Sequence, residues 1–239
     1  MKWKKRSTEQ LTLVMTVVAF LGVILPSLSV LARADTINAG VYSTIEKPYG
    51  LSYGDWTANF WKWVYSIPKD ISPASDQTGK SCAQSQNGPV WFLLGTISGS
   101  AERTCTIPAG KAILFPILNS ECSYAETPTA KTGSELQTCA VTSDKGVTNL
   151  QATVDGKNLQ QLDKYRVTSS LFNFTFANPN ISGAPIGPTQ GVSDGWWVFL
   201  KPLTPGKHEI HFTGVIVNPT VTSTSSRYVT DVIYHLTVQ

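Results

Sequence analysis

The chain has 239 residues, of which 41% are hydrophobic and 15% are charged, and its formal net charge is +3. The first 34 positions hold five of the 19 basic residues and one of the 16 acidic residues, so the remaining 205 residues carry a charge near −1. This balance excludes the electrostatic footprint of a nucleic-acid-binding protein, and the length suits one domain with a single core.

Residues 1–34 have the pattern of a secretory signal peptide. A basic start leads into the apolar run Leu11–Leu25, and Ala32-Arg33-Ala34 supplies the small-x-small pattern of a cleavage site. We predict export to the periplasm, the cell surface or the medium. The alternative is an uncleaved anchor, because the apolar region continues past Pro26 toward the ~20 residues of a membrane span. The membrane would then be contacted only through this leader.

The residues after the leader, 35–239, are predicted to form one domain that contains a single helix near 54–67. Aromatic and aliphatic residues recur there with helical spacing, and Pro68 ends the pattern. We interpret this stripe as packing against a sheet, and a sugar-binding platform is the alternative. The stripe consists of Trp56, Phe60, Trp63 and Ile67.

Beyond the helix, short β-rich runs separated by turn residues predict a mainly β fold. No helical pattern alternates with these runs, which favours a two-sheet antiparallel sandwich of the jelly-roll kind, with the aromatic helix packed on it. The predicted strands are 90–94, 103–107, 112–117, 151–154, 165–168, 171–176, 196–200, 207–217 and 228–238. Residues 120–147 are predicted to form a long polar loop and a candidate binding rim.

Four cysteines lie after the leader, and three pairings are possible. None of them has CxxC spacing, which argues against a metal site. We favour Cys82 with Cys105 and Cys122 with Cys139, because each bridge would then close a polar loop onto neighbouring strands.

Several motifs occur along the chain after the leader. They include Tyr53-Gly54-Asp55-Trp56, Gly88-Pro89-Val90-Trp91-Phe92-Leu93-Leu94-Gly95, Thr104–Ala112 with Phe115-Pro116-Ile117, and Ser193–Trp197 with Pro202-Leu203. Together they resemble a family of uncharacterised exported bacterial proteins. The resemblance implies export and supplies no catalytic residue.

Glu121, Glu126 and Asp194 are the candidate catalytic carboxylates. Two such groups facing one cleft would suit glycoside hydrolysis, and nearby aromatic rings would stack on sugars. Adjacent residues of a strand point to opposite faces, so one ring of the pair Trp196-Trp197 is predicted to be exposed or to lie under the helix. The candidate ligand contacts are Trp197, Trp196 and Tyr124.

His211 and His235 are weak candidate metal ligands. Pairing of the last two strands would bring them together near Glu209 and Asp231, and two imidazoles with a carboxylate can bind a divalent cation. A solvated sheet face is the favoured interpretation, so no cofactor is predicted.

The absence of a catalytic motif favours a non-enzymatic binding or structural module of the cell envelope or extracellular space. Its partner would be a carbohydrate or an envelope protein. The alternative function is an exported hydrolase that uses the loop carboxylates or the histidine site.

Overall fold

The computed structural model describes residues 38–97, 99–217 and 227–239. The predicted signal peptide at 1–34 lies outside the described residues. Among the described residues, no helix combines the length and apolar character that a membrane span requires.

Within the described ranges the chain forms nine strands and two α-helices, so the mainly β prediction is confirmed. The helices are α1 (Tyr53–Ser66) and α2 (Gly133–Ser143). The strands are β1 (Val90–Phe92), β2 (Gly99–Ile107), β3 (Ala112–Ser123), β4 (Val147–Val154), β5 (Lys157–Asn158), β6 (Phe172–Phe176), β7 (Gly187–Leu200), β8 (Gly206–Val217) and β9 (Arg227–Val238).

The strands form two sheets, with orders β1-β3-β7-β6 and β2-β9-β8-β4-β5. The predicted purely antiparallel pairing needs correction, because β1 pairs with β3 and β2 pairs with β9 in parallel. The chain leaves β1, crosses to the other sheet as β2 and returns as β3. Two successive crossings bring β3 back in the direction of β1, and a single hairpin cannot do so.

The main core lies between the two sheets, as in a sandwich. Phe115 of β3 stacks on Phe212 of β8, with ring centroids 4.9 Å apart, and so joins the two layers. Inward-facing side chains alternate along β8 and β9, and Ile210, Val232 and Tyr234 are almost fully buried there.

Helix α1 covers the outer face of the four-stranded sheet, so the predicted aromatic helix is confirmed. Ser52 and Asp55 form a capping box at its start: the Asp55 amide donates to Ser52 Oγ at 3.1 Å, and the Ser52 amide donates to Asp55 Oδ2 at 3.0 Å. All four stripe residues are buried, and all four pack in a second, largely aromatic cluster against the sheet.

Strands β2, β4 and β7 begin earlier than predicted, β5 was not predicted, and two segments differ from the prediction in their kind of structure. Within the predicted loop 120–147, β3 continues to Ser123 and helix α2 follows. Only Leu136 and Ala140 of α2 are buried, which left too weak a periodicity to detect. The predicted strand 165–168 is absent: a 3₁₀ turn covers Leu162–Tyr165, and Arg166 makes one isolated bridge to β7.

The structure contains the two favoured disulfides, Cys82–Cys105 and Cys122–Cys139. The first ties the loop after α1 to β2, and the second ties β3 to α2. They close loops with sequence separations of 23 and 17 residues. No described cysteine is free. Both bridges restrict the conformations that the unfolded chain can adopt.

We expect the double substitution Cys122→Ala with Cys139→Ala to lower the free energy of unfolding by about 3 kcal/mol, because loop-closure entropy returns to the unfolded state. Denaturant titration under non-reducing conditions measures the change. An unaltered free energy of unfolding would show that this bridge does not constrain the chain.

Candidate functional site

The register of β3 and β7 places the predicted carboxylates on two faces of the sheet. Glu121 lies opposite Ser193, whereas Ser120 lies opposite Asp194. Adjacent residues of a strand point to opposite faces, so Glu121 and Asp194 do not share a cleft. This register does not bring Glu121 and Asp194 together as a pair that faces one cleft.

Glu121 faces helix α1 and forms a carboxyl pair with Glu126. Both Glu121 carboxyl oxygens are buried. Gly191 packs closely against them, because a Cβ atom at that position would lie only 2.0 Å from Glu121 Oε1. Burial and, secondarily, the neighbouring Glu126 raise the pKa of Glu121 to about 10, while the Tyr65 hydroxyl opposes this shift. Glu121 is thus a neutral, enclosed acid at pH 7, which is poorly placed to reach a substrate.

Asp194 lies in a buried ion pair on the α2 side of the sheet. The Arg166 guanidinium donates to Asp194 Oδ2 from Nε at 2.8 Å and from Nη2 at 2.6 Å, and Thr168 Oγ1 donates to Oδ1 at 2.5 Å. Burial and the neighbouring Asp194 charge raise the pKa of Asp144 to about 8. With its oxygens engaged by Arg166 and Thr168, Asp194 serves this network and not an open cleft.

The predicted aromatic ligand contacts are mostly covered. Trp197 has 0% exposure, and its ring centroid lies 4.9 Å from that of Phe60 of α1, so it lies under the helix. Trp196 is 7% exposed and is covered by the Arg166 guanidinium, 4.5 Å from its ring. Tyr124 packs half-buried beside the cluster of α2. Of the two predicted alternatives for the second ring, the structure shows the one in which it lies under the helix, and neither tryptophan is an exposed ligand contact.

The two candidate metal-binding histidines bind separate carboxylates. His211 Nε2 lies 2.7 Å from Asp231 Oδ1, and His235 Nε2 lies 2.7 Å from Glu102 Oε1. In the register, Glu209 lies opposite His235, whereas His211 lies opposite Ile233 and not opposite His235. Over the described ranges, no group of three histidine, cysteine or carboxylate side chains has the arrangement of a metal site.

A groove beside helix α1 is a candidate site, and we call it the helix groove. Its volume is about 460 Å³, within the range of small-molecule sites. Three aromatic side chains line it, which we call its floor, and so do side chains with amide, hydroxyl and ammonium groups, which we call its rim. The helix contributes Trp56, Asn59, Lys62, Trp63 and Ser66, and the segment before and within β1 contributes Ser85, Asn87, Gly88, Pro89 and Phe92.

Hydrogen bonds fix the aromatic floor of the helix groove. Trp56 Nε1 donates to the Pro48 carbonyl at 2.8 Å, and Trp63 Nε1 donates to the Gln84 carbonyl at 2.9 Å. Phe92 packs against both rings, with centroid distances of 6.5 and 5.4 Å. Since both indole nitrogens are engaged, the part of each ring that a ligand can reach is apolar, and it is small, because Trp56, Trp63 and Phe92 are each less than a tenth exposed.

Two residues with left-handed backbone conformations lie at or beside the helix groove. Ser85 has φ 53° and lines it; Tyr49 has φ 55°, and its half-exposed ring contacts Trp56 edge to face. Such conformations are costly for residues other than glycine and are concentrated at functional sites. The sequence offered one signal for this groove, the polar residues that flank the aromatic stripe of α1.

Comparison with known proteins adds no family. No protein-family model matches this chain, and no curated protein matches it significantly. A solved structure titled "Solution Structure of Amebosin" is 14% identical, over 64% of this chain and 100% of that one, with a TM-score of 0.19. This similarity is too low to support an argument, and the resemblance noted from sequence motifs stays a prediction.

The buried acid Glu121 makes stability depend on pH. Its pKa is about 10 in the folded protein, against an ordinary value of 4.5, so the folded state retains a proton that the unfolded state releases. Its contribution is complete below the unfolded pKa and is lost as the pH rises toward 10. Asp144, with a pKa of about 8, contributes in the same direction at lower pH.

We therefore expect the free energy of unfolding to fall as the pH rises from about 4.5 to about 10, by up to about 1.4 kcal/mol per pH unit for each acid. Between pH 8 and 10, above the pKa of Asp144, Glu121 is the one of these two acids that still supplies the slope. Glu121→Gln should flatten this slope, whereas Asp70→Asn, which alters an exposed carboxylate, should retain it. Urea titrations across this pH range provide the measurement. A slope that is the same in Glu121→Gln and the unsubstituted protein would contradict the assignment.

Proposed function

We propose that this protein is an exported, non-catalytic module that binds glycans of the cell envelope or extracellular space in the helix groove. The two disulfides support export, because such bonds persist in oxidising compartments. The predicted signal peptide supports the same compartment.

The observation that carries the proposal is the composition of the helix groove. Sugars present apolar ring faces together with many hydroxyl groups. The apolar surface of the aromatic side chains that line the groove suits the first, and the side chains of Asn59, Asn87 and Ser66 suit the second. A concave site with few convergent polar groups on an apolar floor is the usual form of a small-molecule site.

Binding is favoured over hydrolysis because, among the residues that the structure describes, no carboxylate lines the helix groove. Glycoside hydrolysis normally requires two carboxyl groups that flank the scissile bond. Glu121 is enclosed under α1, and Asp194 is held by Arg166 on the other face of the sheet. These positions support a protein that retains its ligand unchanged.

The direct test uses the processed chain on an array of envelope and plant oligosaccharides, followed by calorimetry with the best ligand. We expect Asn59→Ala combined with Asn87→Ala to raise the Kd about 30-fold, because two hydrogen bonds of about 1 kcal/mol each are lost. Gln137→Ala is the matched control, since it removes an exposed amide from the other helix.

Two results would contradict the proposal. One is the absence of binding to every oligosaccharide on the array by the folded protein. The other is binding that the groove substitutions leave unchanged, which would move the glycan site elsewhere. Release of reducing sugar during the titration would favour the hydrolase alternative.

A further inference from the structure

The ionisable group that lines the helix groove is positively charged. Among the described residues that line it, Lys62 is the one ionisable side chain, and this lysine is exposed. Lys62 Nζ donates to Asn59 Oδ1 at 3.3 Å, and within the described part of the chain it forms no ion pair. The ammonium therefore remains available to an anion.

A second ammonium group lies at the edge of the same groove. Lys111 Nζ donates to the carbonyl oxygen of Gly88, which is a lining residue. The domain as a whole is close to neutral, so two cations at one groove make a local positive potential. A concave site with one sign of charge concentrates ligands of the opposite sign.

The nearest acid of α1 does not neutralise this potential. Attraction by Lys62 contributes to the lowered pKa of Asp55, although the larger effect is the hydrogen bond from Ser52. The Asp55 carboxylate accepts from the Ser52 amide at 3.0 Å and from its hydroxyl at 2.5 Å. Asp55 is thus held in the helix cap, outside the residues that line the groove.

We infer that the helix groove selects acidic glycans that contain uronic acid units, and that Lys62 binds the ligand carboxylate. This inference rests on the proposed function. Lys62 lies six residues along α1 from Trp56, a distance of about 9 Å along the helix axis. A sugar carboxylate can therefore meet the ammonium while other parts of the chain contact the aromatic floor.

The test compares two probes of the same length and linkage: oligogalacturonate and its carboxyl-reduced, neutral counterpart. We expect the unsubstituted protein to bind the acidic probe about fivefold more tightly, the range of one partly exposed charge pair. Added salt should weaken this preference, because it screens exposed charges.

Variants assign the preference to Lys62. Lys62→Gln should bind both probes with the affinity of the neutral one, and Lys62→Arg should restore the preference. Lys69→Gln is the control, because this exposed lysine follows α1 outside the groove. Circular dichroism confirms that each variant is folded.

The outcomes separate the two proposals. Equal affinity for both probes would overturn the acidic selection and leave glycan binding intact. A preference that survives in Lys62→Gln would overturn the role of Lys62. If neither probe nor any array glycan binds, both proposals fail together.

Discussion

The packing of helix α1 on the four-stranded sheet is the interaction on which the rest of the structure depends. A sheet that packs on another through one face leaves its second face exposed unless a further layer covers it. Here the ring centroid of Phe60 lies 4.9 Å from that of Trp197 and 5.8 Å from that of Phe92. The ring centroids of Trp56 and Phe199 are 5.8 Å apart. Each ring that is removed from water contributes about 1.5–3 kcal/mol, so this layer supplies a large share of the stability.

Because α1 packs on the sheet, one of its flanks borders an open groove and the other covers a buried carboxyl group. On one flank, Asn59 and Lys62 project beside the aromatic side chains and form the rim of the helix groove. On the other, Tyr65 covers Glu121 and removes its carboxyl group from water. One helix thus creates an open polar rim and an enclosed acid, and only the open rim has room for a ligand. This difference is why the groove, and not the carboxyl pair, is the better binding site.

Local sequence patterns predicted helix α1 and most of the strands. The features that these patterns did not predict depend on contacts between residues far apart in the chain. The stripe of α1 and the nearest-neighbour disulfides follow from spacing along the chain. The separation of Glu121 from Asp194 depends on the register of β3 with β7, which no local pattern specifies. Helix α2 was missed because few of its residues are buried, and the helix groove because it joins residues of α1 to residues near 85–92.

Hydrogen–deuterium exchange with and without a bound glycan tests most directly whether the groove beside α1 is the binding site. The account predicts that ligand binding slows exchange in peptides that cover 56–66 and 85–92, while peptides from β8 and β9 are unchanged. Slower exchange confined to β3 and β7 around Glu121, or to the exposed face of the five-stranded sheet, would contradict it.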